Sequence, residues 1–467
     1  MNIIKLESFA GDRVDNAIPM AQQLPLSSKD RVTEDQAAID FAKLYKGKLR
    51  FCHDAGAWFI WDTSVWRQDR KRLAFHYARE HARDLSKNAE ERVQYIASRT
   101  SFADGVERFA RSDPVFAVTS ADWDTDPMLL GTPDGTVDLR TGILRQADPA
   151  EGITKSTVTA PLATVDCPRW LAFLDEAAGG DEEFVRFLQQ WAGYCLTGST
   201  QEHALIFVYG AGGEGKSTFL NTIAYVLHDY ATTAPMETFT STKTDKHPTD
   251  LAGLRGARFV CASETEEGRA WAEARIKSMT GGDPITARFM RRDFFTYVPQ
   301  FKLAIMGNHR PALLNVDDAM RRRLNIVPFV RKPARPDPLL GEILKAEAPG
   351  ILRWMIDGCL DWQKNGLVRP AIVKAETDEY FSAQDTFGDW LAERCDAEPG
   401  NKWKTATSGD LYRSWSAYAY HAGESAQTHK AFAERMLRAG FRNRKGANGV
   451  RLYDGVRLRS DEVAGGA

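Results

Sequence analysis

Cysteine is scarce in this chain and never clustered. Its six residues, Cys52, Cys167, Cys195, Cys261, Cys359 and Cys395, show neither a CxxC pair nor a Cys/His ligand spacing. That argues against a zinc site and fits a reducing cytoplasm, where isolated cysteines behave as small hydrophobes. Long apolar runs are missing too: none approaches the ~20 residues needed to cross a bilayer. The N-terminal Met1-Asn2-Ile3-Ile4-Lys5-Leu6-Glu7 lacks the apolar core and cleavage pattern of an export signal. A soluble, cytoplasmic protein is therefore expected. An excess of charge of one sign is also absent. With 61 Lys and Arg against 63 Asp and Glu, the formal net charge is −2. This excludes a polybasic coat, so any nucleic-acid contact must be concentrated in patches or inside a channel. No internal repeat or low-complexity tract is evident.

What is present suits a globular protein with real cores: 467 residues, 43% hydrophobic and 27% charged, room for several domains. Residues 1–32 are polar and aperiodic, a flexible leader. An N-terminal α/β domain is expected over 33–120. Thr33-Glu34-Asp35-Gln36 has the capping-box pattern ahead of a short helix to about Tyr45. Aromatic runs around Phe51, Trp58-Phe59-Ile60-Trp61 and Val65-Trp66 predict a small β-meander, and a charged helical stretch follows from Arg72 to Phe109. A linker and helical collar are expected over 121–200. Short strands run from Leu129 to Leu144 with Asp134-Gly135 as the hairpin turn. Asp122-Trp123-Asp124-Thr125-Asp126 imitates a carboxylate metal pair, but it precedes Pro127 among turn residues and is read as a turn. From Pro168 the helical period is strong. Phe184, Phe187, Leu188, Trp191 and Cys195 form one stripe behind a capping Asp181.

Apolar strands then alternate with helices over 201–345, the pattern of a parallel α/β sheet. The strand-like Ala204–Tyr209 feeds Gly210-Ala211-Gly212-Gly213-Glu214-Gly215-Lys216-Ser217, and a helix-compatible segment runs to Leu227. This is GxxxxGK[ST] in the strand–loop–helix context its chemistry requires. The glycines (Gly210, Gly212, Gly213, Gly215) let backbone N–H groups turn toward phosphate oxygens, and the helix N-terminus adds a favourable field. Lys216 would neutralise the β- and γ-phosphates, Ser217 would hold Mg²⁺, and Thr218 lies beside them. ATP and Mg²⁺ are the expected cofactors. A second strand, Arg258–Ser263, ends in Glu264-Thr265-Glu266-Glu267. Glu264 there is placed for Mg²⁺ and the attacking water, with Glu266 as helper and metal ligands Ser217 and Glu264. A third strand, Phe301–Met306, ends in Gly307-Asn308, whose amide can reach the γ-phosphate or orient the water.

A helical lid or bridge is expected over 346–385, with Leu352, Met355, Ile356, Cys359 and Leu360 on one face. Over 386–467, helices near Phe387–Arg394, Gly409–Tyr420 and Thr428–Arg438 precede a strand–turn–strand from Phe441 to Leu458, the winged-helix order. This end is basic. Lys430 on the recognition-like helix, and Arg444 and Lys445 in the wing, are the candidate contacts to duplex DNA, with protein docking the competing use.

The order phosphate loop, acid, asparagine within about a hundred residues resembles superfamily 3 helicases, a compact branch of the ring-forming ATPases. The match is closer to the phage, plasmid and poxvirus helicases often fused to a primase. Asp138–Gly142, Leu196-Thr197-Gly198, Ser263–Gly268, Lys277–Asp283, Gly307–Pro311 and Arg322-Arg323-Leu324 with Val327-Pro328-Phe329 carry it, across roughly residues 120 to 460. The resemblance implies an AAA+-type core and a homo-oligomeric ring, expected to be a hexamer, acting 3′ to 5′ on single-stranded or forked DNA. Lys216 and Ser217 would bind nucleotide and metal, Glu264 would be the second acidic motif and Asn308 the sensor. Arg322 or Arg323 would reach a neighbouring subunit's ATP. The segment Ile285–Pro299 corresponds to the family's pore hairpin. Arg288, Arg291 and Arg292 would grip phosphates there and Phe294 would stack or wedge.

Two departures stand out. Members often carry Asn where this chain has Glu214, and an aromatic where it has Arg321; neither change is expected to touch a phosphate ligand. The residues before the phosphate loop hold no convincing primase carboxylate set, so a helicase without priming activity is expected, with a separate primase or polymerase as partner. The host cytoplasm is then the location if a phage encodes it. Competing readings are a replication initiator or DNA-packaging motor on duplex DNA, and a non-enzymatic winged-helix regulator.

Overall fold

The computed structural model describes residues 32–241, 249–263, 270–291, 293–310, 313, 318–383, 385–422, 426–446 and 449–459. They divide into two compact units: 32–138 with 143–160, and 139–142 with the described residues from 161 to 459. Nearly all of the expected leader, together with Glu264, Glu266 and Arg292, lies outside the described residues.

In the first unit, helix Glu34–Tyr45 starts at Thr33, whose hydroxyl accepts the Gln36 N–H at 3.2 Å. The Gln36 amide reaches forward to Asp40 instead of back to the cap, so only one arm of the capping box forms. The aromatic runs make the expected meander, Leu49–Cys52, Ala57–Trp61 and Trp66–Gln68, and Ala117–Val118 joins it in parallel. The charged stretch is three helices, Leu73–Ser86, Glu91–Ala97 and Thr100–Arg111. Phe41, Trp58, Phe102, Val106 and Phe116 fill the space between helices and sheet. Inside that core Trp58 Nε1 donates to Glu107 at 2.6 Å, and Arg111 grips both Glu107 oxygens at 2.9 Å. Residues 121–138 and 143–160, expected to open the linker, belong to this unit. There the hairpin turn is Pro133-Asp134, and Gly135 is already a strand residue opposite Thr132. Gly135 has φ +149° and the Arg145 carbonyl against it, so no side chain fits. Asp122 caps Thr119 and Asp124 accepts from the Thr154 N–H at 2.9 Å, the turn chemistry read from the sequence.

The second unit is built on five parallel strands in the order Leu324–Pro328, Leu205–Tyr209, Lys302–Gly307, Phe259–Ser263, Ala231–Thr233. Burial on both faces explains their continuous apolar runs. Helix Lys216–Leu227 packs across the middle strands, and helix Ala371–Ala383 packs on Leu324–Pro328, where the Thr377 hydroxyl accepts the Ile326 N–H at 3.0 Å. Because every strand points the same way, their C-terminal ends emerge along one edge.

Helices Pro168–Ala178 and Glu182–Tyr194 precede the sheet, the second capped by Asp181 on the Phe184 N–H at 3.0 Å. Its apolar stripe is buried, and it lies along helix Ala348–Asn365. Gly193 and Gly358 let those two backbones touch, since a Cβ at either would land on the other helix's main chain. Arg186 and Gln190 close the contact on Asp361, at 2.7 and 2.8 Å. Toward the C-terminus, helices Thr386–Arg394, Ser408–His421 and His429–Arg438 enclose Trp390, Trp415 and Phe432. Strands Asn443–Lys445 and Arg451–Asp454 form the expected hairpin. Thr405–Thr407 extends it, and Cys395–Ala397 pairs with Val456–Leu458, two strands too short to show in the pattern. No helix among the described residues is long and apolar enough to cross a membrane.

Candidate active site

The phosphate loop leaves its strand at Tyr209 and ends where Lys216 starts the next helix. Gly212, Gly213 and Gly215 all have φ between +84° and +128°, the left-handed region only glycine enters cheaply. A side chain at Gly210 would strike the Phe329 carbonyl, and one at Gly215 the Phe173 ring. The loop therefore needs its glycines for curvature and for close approach.

The next two strands present their ends beside it. Gly307 pairs with Tyr209 and Ser263 with Met306, so Asn308 follows directly on the strand next to the loop. A cleft of about 400 Å³ is lined by Gly212–Thr218, Asn308, Arg169, Phe173, Arg331 and Arg335. The expected nucleotide-binding residues Gly212, Gly213, Gly215, Lys216, Ser217 and Thr218 thus share one cavity with the expected sensor, whereas Gly210 is not part of its lining. Ser217 Oγ rests 3.6 Å from the Met306 sulfur, a weak acceptor that a hard cation would readily displace. This hydroxyl fits a Mg²⁺ ligand; Glu264, its proposed companion, lies outside the described residues.

Glu214 corrects the sequence reading. Its carboxylate is buried inside the loop, accepts the Gly212 N–H, and lies 3.5 Å from Lys216 Nζ. Lys216 also donates to the Gly210 carbonyl at 2.6 Å. The departure at this position therefore does touch Lys216, the residue expected to bind phosphate. Burial alone would raise the Glu214 carboxyl, but the N–H groups of Gly212 and of Glu214 itself, together with Lys216, outweigh it and hold it below the usual range.

Three residues that the sequence left without a role also frame the site. Arg331 and Arg335, in the Pro-rich turn after the last strand, and Phe173, on the helix before the sheet, meet the loop only through the tertiary fold. Arg310, two residues past Asn308, donates to Glu376 at 2.8 Å and Glu379 at 3.1 Å and lies over the Tyr209 ring. It ties the asparagine segment to helix Ala371–Ala383.

The arginine pair lies elsewhere. Helix Asp318–Arg323 runs into Leu324, which pairs with Leu205, while the phosphate loop leaves from the far end of those strands at Tyr209. Arg322 and Arg323 thus sit on the opposite edge of the sheet from their own Lys216. Arg322 donates to the Asp318 carbonyl at 3.2 Å and Arg323 to the Ala319 carbonyl at 3.0 Å. The Arg322 carbonyl is held by Arg369, and the Arg323 carbonyl by buried Asn325 at 3.2 Å.

The expected hairpin is present as Ile285–Ala287 paired with Phe295–Tyr297. Its tip carries Arg288 stacked over Phe294 at 4.6 Å, exposed Phe289 and Met290, and Arg291 at φ +61°. In the C-terminal module Lys430 and Lys445 are exposed, whereas Arg444 is engaged by both Asp454 oxygens at 2.9 Å.

Comparison with known proteins gives two family matches. Residues 38–179 match a family described as "D5 N terminal like", and residues 208–323 match one described as a "Family of unknown function". The chain is 24% identical over 315 residues to "Putative helicase L207/L206" of Acanthamoeba polyphaga mimivirus, covering 62% of this chain and 33% of that protein. It is 24% identical over 265 residues to "Putative helicase 022R" of Frog virus 3 (isolate Goorha), covering 51% of this chain and 27% of that protein. The chain thus spans a third or less of these viral relatives. Among solved structures, the apo NrS-1 C terminal region superposes with a TM-score of 0.52 at 11% identity, over 92% of this chain and 100% of that one, a likeness of fold. With its GxxxxGKS loop and asparagine strand set side by side and both segments matched in order, the chain is similar in sequence to putative helicases of large DNA viruses and in fold to the NrS-1 C terminal region.

Proposed function

We propose that this chain is an ATP- and Mg²⁺-dependent DNA helicase with an AAA+-type core, acting as a ring, expected to be hexameric, in the replication of a phage, prophage or plasmid. One observation carries the reading: Lys216, Ser217 and Asn308 line a single cleft at the C-terminal edge of the parallel sheet. Loop N–H groups and the start of helix Lys216–Leu227 would take the phosphates. Lys216 would neutralise the β- and γ-oxygens. Mg²⁺, when bound, supplies further neutralisation of the phosphate charge, and Ser217 and Glu264 are the residues that would hold it. Asn308 would orient the water that attacks the γ-phosphorus as the bond to the β,γ-bridging oxygen breaks and ADP leaves.

Arg322 and Arg323 stand too far from their own loop to stabilise that charge, so their use is on a neighbouring subunit's nucleotide. This makes hydrolysis depend on assembly. The tips of the Ile285–Tyr297 hairpins, with Arg288, Arg291, Arg292 and Phe294, would grip a threaded strand, drawn 3′ to 5′. Concentrating cations on one axis explains how a chain of net charge −2 handles a polyanion. The C-terminal module would contact duplex through Lys430 and Lys445 as a winged helix. A separate primase or polymerase would be its replication partner.

The test is unwinding of a forked DNA with ATP turnover followed in parallel. Wild type should hydrolyse ATP faster with DNA and open the fork. Lys216→Ala should lose both while still binding DNA. Wild type without DNA-stimulated hydrolysis would favour the DNA-binding regulator; translocation on blunt duplex without fork opening would favour an initiator or packaging motor.

A further inference from the structure

A phosphate loop binds anions because its backbone N–H groups and its lysine converge on one point. In this chain that point already receives an anion of the protein's own. Glu214 is 4% exposed, its carboxylate accepts the Gly212 N–H, and it lies 3.5 Å from Lys216 Nζ. Lys216 is turned inward as well, donating to the Gly210 carbonyl at 2.6 Å. Its side chain is only 9% exposed, so the ammonium depends on these internal partners for compensation. The donors that Glu214 engages, a loop N–H and the loop lysine, are the ones a nucleotide phosphate would need.

We propose that Glu214 is an internal anion of the phosphate loop, a positioning residue that holds Lys216 and the Gly212 N–H and must swing out before a nucleotide phosphate can take its place on these donors. The proposal rests on the nucleotide-site reading above. Binding replaces one anion with another, so the net gain is only the difference between them. The carboxylate is also left as a like charge beside the triphosphate unless it rotates to solvent. Glu214 therefore sets a weaker affinity than the same loop would have with a neutral residue, and in return keeps the lysine ordered.

Glu214→Gln keeps the shape and one oxygen acceptor while removing the charge. Two measurements on the full chain separate the alternatives: affinity for a fluorescent ATP analogue with Mg²⁺, and the melting temperature without added nucleotide. The expected result is binding tightened by about tenfold, the factor of a single charge-assisted contact. The melting temperature should fall, because a buried ammonium loses its counter-charge. A merely structural residue would weaken both. Binding equal to or weaker than wild type overturns the proposal. If neither protein binds the analogue while both melt cooperatively, the nucleotide-site reading fails and the proposal with it. Should Glu214→Gln not fold, Glu214→Asp replaces it: the shorter carboxylate cannot span Gly212 and Lys216 together. It must bind the analogue more tightly than wild type, and no gain refutes the role.

Discussion

Asn325 offers the sharpest test of how the arginine helix is held. It is fully buried in the edge strand Leu324–Pro328, and its Nδ2 donates to the Leu205 carbonyl at 3.0 Å and the Arg323 carbonyl at 3.2 Å. Its Oδ1 finds no partner among the described residues. Asn325→Leu removes two hydrogen bonds, each worth about 1 kcal/mol net, and leaves two carbonyls short of a donor at about 1 kcal/mol or more each. It also removes the orphaned oxygen and buries an apolar side chain, which offsets roughly 1–2 kcal/mol. The net loss should be about 2–3 kcal/mol. Asn325→Asp has the same shape but turns an acceptor toward two acceptors and buries a charge, so it should cost several kcal/mol. Thermal and urea unfolding, followed by tryptophan fluorescence, should rank the proteins Asn, Leu, Asp. If the aspartate variant matches wild type, or the leucine variant is the most stable of the three, Asn325 is not a brace and the reasoning fails. Where Arg322 and Arg323 act across subunits, the leucine variant should lose hydrolysis rate more than nucleotide affinity.

Three further outcomes follow from the structure. Burial pushes the thiols of Cys167, Cys195, Cys261 and Cys359 up to about 12. A thiol reagent at pH 8 should thus label none of the four in folded protein, and rapid native labelling would contradict their burial. A raised folded value also means stability that is complete below the unfolded thiol value of 9.0 and lost as pH climbs toward 12, so urea midpoints should fall over that range. Asp361 is held down at about 2, chiefly by the Arg186 hydrogen bond that joins helices Glu182–Tyr194 and Ala348–Asn365. Asp361→Asn should cost on the order of 1 kcal/mol at neutral pH after solvent screening. The gap to wild type should narrow as pH falls from 3.8 through 2; a gap independent of pH would refute the charge role. Replacing Arg288, Arg291 and Arg292 together by alanine should leave ATP turnover without DNA within about twofold while abolishing fork opening. Intact unwinding would remove the hairpin from the DNA path.

Local signals were enough for much of this protein. The glycines and lysine from Gly210 to Lys216, the buried strands around them, Thr33 and Asp181 as caps, and the aromatic meander all depend on neighbours a few residues away, so periodicity and turn chemistry reveal them. The ordered motifs through Asn308 and Arg323 were legible for the same reason. Short strands such as Cys395–Ala397 and Thr405–Thr407 were not, because three residues carry no period and their partners lie more than forty residues away. Only the tertiary structure turned Glu214 onto Lys216, put Arg322 and Arg323 at the opposite edge of the sheet from their own phosphate loop, and bound Arg310 to Glu376 and Glu379. Such pairings depend on strand order and on which way a side chain turns within a few ångströms, quantities set by packing across the whole sheet that no short window of sequence encodes.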